Sequence, residues 1–297
     1  MEYHIEKEKC IYNMSANNRP VLMVPSGSTV RFETCDCFAD RVQDADRGIE
    51  SIDWEHINPV TGPLYVEGAR PGDVLRVEIL DIIINDHGVM AAIPGSGLLG
   101  EGIEKAEVKI VPIENGLAVF NNSIKLPISP MIGVIGVAPE SGSIPCGCPG
   151  SHGGNMDNTR IKKGAILYLP VFTEGALLAM GDLHACMGDG EIMVTGVEIS
   201  GSVDVKVDVL NGMGLKNPML EDDEYIYTIA SSENLFKAVK TATKDMHELV
   251  MKLLGLSFNE AGMLLSAAGN VQVCQVVDPM MTVRFAMPKV LLKQIGE

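Results

Sequence analysis

The stretch Gly201–Leu210, GSVDVKVDVL, sets Val203, Val205, Val207 and Val209 against Asp204, Lys206 and Asp208. Side chains on a strand point to alternate faces, so this period of two dictates a β-strand with one apolar and one wet face. A face of four valines must be covered by a second layer. The rest of the chain supplies candidates for that layer. DVLRVEILDIIIND (Asp73–Asp86) is rich in β-branched residues, and ARPGD before it carries turn chemistry. STVRFETCDCF (Ser28–Phe38) and GAILYLPVF (Gly164–Phe172) have strand length, while EVKIVPI and LAVF flank ENG as a hairpin. Aromatic residues make up only 5% of the chain, so the core between these strands is expected to be aliphatic.

Helical periodicity appears late. SSENLFKAVKTATKDMHELVMKLLG has an apolar stripe through Leu235, Val239, Ala242, Met246, Leu249, Val250 and Leu253. Ser231 or Ser232 is expected to cap its start and Gly255 to end it. A second helix is expected from SFNEAGMLLSAAG, where Ser257 and Glu260 have capping-box spacing. VQVCQVV and MTVRFAMP read as a strand pair and KVLLKQIG as a short terminal helix. The expected class is mainly β, a sandwich or barrel-like body with an α+β C-terminal subdomain. At 297 residues the chain exceeds what one compact core usually holds. We therefore expect a β-rich body over residues 1–210, carrying the site and open to division into two β-subdomains. An α+β subdomain would follow over 211–297.

A net charge of −16 argues against nucleic acid and anionic membrane surfaces as partners. The chain has no run of eighteen apolar residues, and MEYHIEKEKC lacks the apolar region of a signal peptide. A cytoplasmic protein is the expectation. Seven cysteines, none in a C-x-x-C pair, fit it. The two C-x-C pairs, Cys35–Cys37 and Cys146–Cys148, read as structural residues. GSGLLG (Gly95–Gly100) matches G-x-G-x-x-G, but no amphipathic helix follows it, so a dinucleotide site is rejected in favour of a mobile loop over the site. The G-x-S-x-G elbow of α/β-hydrolases is missing.

Chemistry concentrates in GDLHACMGDGEI (Gly181–Ile192). If a strand runs through Asp182 and His184, their side chains share one face and can grip one divalent ion. Gly188 and Gly190 would let the chain fold back and deliver Glu191 to the same spot as a general base. Asp189 would shape that turn. PGSHGGNMDN (Pro149–Asn158) adds His152, Asn155 and Asp157 beside two adjacent glycines. ETCDCF adds Asp36. Read from these residues alone, a hairpin with solvated carboxylates stays open for the first stretch, while Pro149–Asn158 reads as a surface loop and Asp36 as an ordinary strand-end carboxylate.

Taken together, the stretches resemble the acetamidase/formamidase family. PMIGVIGVAPESGSIPCGCPGSHGGNMDN followed by GDLHACMGDGE carries the resemblance, supported in order by DCF, NPVTGPLYVEGARPGDVL, GSGLLG and VVDPMMTVRFAMPK. It covers nearly the whole chain and fits the shorter branch of the family; the longer branch often has Gln where Met187 stands. The resemblance implies metal-dependent hydrolysis of small aliphatic amides, such as formamide and acetamide, to a carboxylate and ammonia. It implies Asp36, Asp182 and His184 around a divalent ion, zinc first and calcium second, with Glu191 as acid/base. Asn155 and Asp157 would line or buttress the pocket, with His152 as a further candidate. Exposed strand edges point to a homodimer or higher homo-oligomer. The competing expectations are a lactam or cyclic-amide hydrolase, a non-catalytic metal- or ligand-binding β protein, and a thiol mechanism through Cys186 beside His184.

Overall fold

A computed structural model describes residues 3–42, 52–53, 56–212 and 214–292. The expected class is the one observed: mainly β, with helices near the C-terminus. Gly201–Leu210 is a ten-residue strand in a nine-stranded sheet, paired antiparallel with Thr29–Thr34 on one side and Val74–Ile84 on the other. Its valine face behaves as the alternation dictates, with Val203, Val205 and Val207 fully buried. The opposite face is less wet than expected. Asp204 is buried and accepts both Nε and Nη2 of Arg31 at 2.7 Å, and Asp208 accepts from Arg76 at 3.1 Å. Cross-strand ion pairs thus occupy the polar side.

An eleven-stranded sheet covers the valine face. Its central strand is Leu178–His184, every residue of which is buried. Met131–Gly136, Val60–Glu67 and Glu198–Ile199 all pair with it. One aliphatic core joins the two sheets, with Phe32, Leu75, Val77 and Val205 from the first and Leu64, Ile132, Ile135 and Leu183 from the second. Low aromatic content is satisfied by Ile, Val and Leu packed between pleated faces.

The C-terminal elements extend the nine-stranded sheet rather than standing apart from it. Beyond Ile166–Pro170 come Met219–Glu221, Tyr225–Ser232, Met281–Pro288 and, at the edge, Asn270–Gln275. Helix α1 (Leu235–Leu254) and helix α2 (Phe258–Ala268) cover this end of the sheet around Ala242, Met246, Val250, Leu265, Phe285 and Met287. The α1 cap differs from expectation. Ser231 and Ser232 are spent on the strand, and Asn234 caps instead, its side chain accepting from Lys237 N. Gly255 ends α1 in the left-handed region at φ 64°, and Ser257 with Glu260 forms the expected capping box. A short helix α3 follows at Lys289–Leu292. No single helix among the described residues is long and apolar enough to cross a membrane.

Candidate active site

The strand Leu178–His184 carries Asp182 and His184 into the interior, each at most 3% exposed. His184 lies directly across from Glu198 in the antiparallel register, which places Glu198 Oε2 3.1 Å from His184 Nε2. Asp182 Oδ1 stands 3.6 Å from the same nitrogen and Asp157 Oδ1 3.8 Å. One imidazole nitrogen therefore faces three carboxylates. Glu191 joins from the other side. Gly190, at φ 104°, turns the chain back, and its N–H donates to Cys274 O at 2.7 Å. The fold-back expected of the glycines is thus present, anchored on the edge strand of the other sheet.

Side-chain donor atoms of Asp157, His184 and Glu191 fall within 4.8 Å of one another, as do those of Cys37, Asp182 and Glu198. The distances decide between hydrogen bonding and a shared ion. Gaps of 3.6 and 3.8 Å are too long for hydrogen bonds. They match the separation of two ligands on one tetrahedral ion, about 3.4 Å for bonds of ~2.1 Å. Asp157 Oδ1 and Oδ2 and Asp182 Oδ1 are buried without a hydrogen-bond partner among the described residues. Buried anionic oxygens left this way are costly unless a cation or proton satisfies them. The donor set fits a divalent ion.

Electrostatics give the same reading. Burial, and then the Asp182 charge, raise Asp157 to about 7. Burial lifts Glu198 to about 8 against the opposing pull of His184. Burial and Asp157 push Glu191 well above the usual carboxylate range. Asp182 goes the other way: its burial is outweighed by His184 and Glu198, which hold it below the usual value. Burial of His184 is outweighed in turn by Glu198 and Asp182, which favour its charged form. Without a cation, the cluster as a whole resists ionisation, and Asp182 is the carboxylate best paired within it.

Three of these acids sit in the left-handed backbone region: Asp157 at φ 39°, Asp182 at φ 56° and Glu191 at φ 49°. Residues other than glycine rarely adopt it, and such strain gathers at functional sites. A glycine makes room for two of them. A Cβ on Gly133 would lie 2.5 Å from Asp157 Oδ1 and 2.6 Å from Asp182 Oδ2. Gly133→Ala is therefore expected to spread these carboxylates and weaken divalent-ion binding by about 10–100-fold, as displaced supports of metal ligands do. A competitive chelator titration measures this; an unchanged affinity would mean that the two carboxylates do not share an ion.

The remaining expected residues fall into place unevenly. Asn155 is 5% exposed and lines the cavity beside the cluster. Asp157 lies deeper, among the candidate ligands rather than on the cavity wall. Asp36 is buried, and its Oδ1 accepts from the backbone of Phe38 at 2.9 Å and Asp40 at 2.8 Å; it belongs to neither group of candidate ligands and does not line the cavity. Burial raises its pKa to about 6. His152 is buried, lowered to about 4 by burial, and does not line the cavity. Cys186 packs against the main core and is not on the cavity wall either. The loop Gly95–Gly100 docks on the turn after Glu191, with Leu98 N donating to Ile192 O at 2.8 Å.

Three contributors were not singled out from the sequence. Glu198 sits in an unremarkable VEI stretch, and only strand pairing reveals it. Cys37 belongs to a C-x-C pair read as structural, yet it stands beside Asp182 and Glu198. Asp278 arrives from the turn after Asn270–Gln275 and accepts from Asn155 Nδ2 at 2.9 Å. That turn is held by Gln275, whose Oε1 accepts from Val277 N and Asp278 N at 3.0 and 3.1 Å. The order VVDP was a signal in hand, but nothing local marks this Asp as a site residue.

The cavity measures 610 Å³, and Asn155, Asp182, Glu191, Glu198 and Asp278 are among the residues that line it. The model of the Acetamidase/Formamidase family matches residues 4–146 and 143–291. A predicted acetamidase/formamidase from Thermoanaerobacter tengcongensis, solved as a crystal structure, is 49% identical with a TM-score of 0.97, covering 99% of this chain and 98% of that one. An acetamidase from Bacillus halodurans is 47% identical with a TM-score of 0.97, covering 99% and 100%. Formamidase of Methylophilus methylotrophus is 26% identical over 280 residues, 73% of this chain and 69% of that protein.

Proposed function

The chain belongs to the acetamidase/formamidase family and is an amidohydrolase acting on linear amides, and on that premise we propose that it hydrolyses primary amides to a carboxylate and ammonia at a divalent-metal site centred on His184. The carrying observation is the ring of carboxylates around His184 Nε2, opening onto the cavity that Glu191 and Asn155 line. His184 and Asp182 would hold the ion with Glu198 and Asp157 beside them. An imidazole and a nearby thiol, Cys37, favour zinc over calcium, which takes oxygen ligands. Such an ion supplies Lewis acidity, polarising a carbonyl and lowering the pKa of a water towards ~7.

The chain's own groups do the rest. Glu191 lies at the cavity wall, close to Asp157 and His184. It takes the proton of the attacking water and passes it to the nitrogen that leaves as ammonia. Burial and the Asp157 charge raise its pKa, the direction that favours handing a proton on to the leaving nitrogen. Asn155 and Asp278 form the side of the pocket against which the amide group is oriented. A cytoplasmic homo-oligomer is the assembly we propose.

Metal analysis of the purified protein combined with ammonia release from formamide and acetamide tests this reading. We expect bound zinc, ammonia from both amides, and parallel loss of metal and activity on chelation, restored by adding zinc back. Full activity in the metal-free protein would remove the ion from the mechanism. Stoichiometric metal without ammonia from any amide would instead make this a binding protein.

A further inference from the structure

We infer that the preferred substrates are primary amides whose acyl group is apolar and larger than acetyl. The inference rests on the amidase reading and adds the substrate class. Its first support is size. At ~30 Å³ per water, a cavity of 610 Å³ holds about twenty waters. Acetamide would displace only two or three of them. Pockets in this range suit ligands of many more heavy atoms.

The second support is the make-up of the wall. Besides Asp182, Glu191, Glu198 and Asp278, the cavity is lined by Phe38, Ile57, Ile93, Val194 and Val277, together with polar residues such as Asn58 and Ser96. Apolar side chains on the same wall as the reacting groups can take a hydrocarbon tail beside the amide head.

The third support fixes the head as –CONH2. Asn155 Nδ2 donates to Asp278 Oδ2 at 2.9 Å, which sets the orientation of the side-chain amide. Its Oδ1 is buried on the cavity wall without a partner among the described residues. An unpaired buried acceptor calls for an N–H donor from the ligand. An unsubstituted amide nitrogen supplies it. Asp278 acts here through Asn155, as a positioning residue.

The test is kcat/KM for ammonia or amine release by the zinc-loaded protein across formamide, acetamide, butyramide, hexanamide and N-methylbutyramide. From acetamide to butyramide we expect a rise of about fourfold per methylene, the ratio that ~0.8 kcal/mol per buried CH2 gives. N-methylation should cost at least about tenfold. Asn155→Ala should abolish that discrimination, a change that a merely structural role would not produce. Ile93→Trp should lower the hexanamide-to-acetamide ratio. A flat or falling series from formamide to hexanamide overturns the inference while leaving the amidase reading intact. Equal rates for butyramide and its N-methyl derivative overturn the role of Asn155. Absence of product from every amide overturns the amidase reading, and this inference with it.

Discussion

Glu191→Gln is expected to lower kcat for ammonia release from acetamide by about 10²–10⁴-fold, the range typical of a lost general acid–base. The substitution preserves size and one carbonyl oxygen but removes the proton acceptor. The backbone there sits at φ 49° and is held from both sides. Gly190 N donates to Cys274 O at 2.7 Å, and Val194 N donates to Glu191 O at 2.8 Å. The loop should therefore stay in place, and a bound ion should remain on His184 and Asp182. Metal content and a thermal melt of the variant check both points. The kinetics then isolate the proton transfer. A variant within about threefold of the parent would assign the base elsewhere, with Glu198 the next carboxyl on the cavity wall.

The sequence was informative wherever one local rule governed the outcome. The valines of Gly201–Leu210, the capping box at Ser257 and the turn through Gly190 each obey a short-range constraint, and each is observed as expected. Asp182 and His184 were expected on one face from their spacing of two on a strand; they do approach to 3.6 Å, although Asp182 leaves strand geometry at φ 56°. The remainder depends on long-range pairing. Glu198 matters because register sets it opposite His184, and Asp278 because Gln275 holds its turn against Asn155. No local periodicity encodes either contact. The α1 cap moved from Ser232 to Asn234 because the strand Tyr225–Ser232 pairs with Met281–Pro288 along its full length. Tertiary pairing there overrides a side chain well suited to capping.

Asp189, in the same GDGE turn, has a different task, and the second large effect is expected there. Asp189 is itself exposed but its partner is not, so Asp189→Asn should cost about 1–3 kcal/mol of stability, the range for leaving a buried donor without its partner. The reason lies in its partner. Arg284 is 1% exposed, deep in the strand Met281–Pro288, and grips Asp189 with two hydrogen bonds: Nη2 to Oδ2 at 2.5 Å and Nη1 to Oδ1 at 3.1 Å. The same guanidinium donates to Asn158 Oδ1 at 2.9 Å and Gln272 Oε1 at 2.6 Å. It thus ties the turn before Glu191 to the residue after Asp157. Asparagine leaves that buried cation without its counter-charge. Arg284→Met removes the cation as well, so the double variant should be no less stable than Asp189→Asn alone, a non-additivity that urea unfolding of the four proteins measures. The clamp also predicts a kinetic signature. With Glu191 two residues from the broken pair, kcat should fall by about 10²-fold, as small misplacements of catalytic groups do, with KM little changed. If Asp189→Asn unfolds at the parent's urea midpoint and turns over at the parent's rate, the Arg284 pair supports neither the fold nor the position of Glu191.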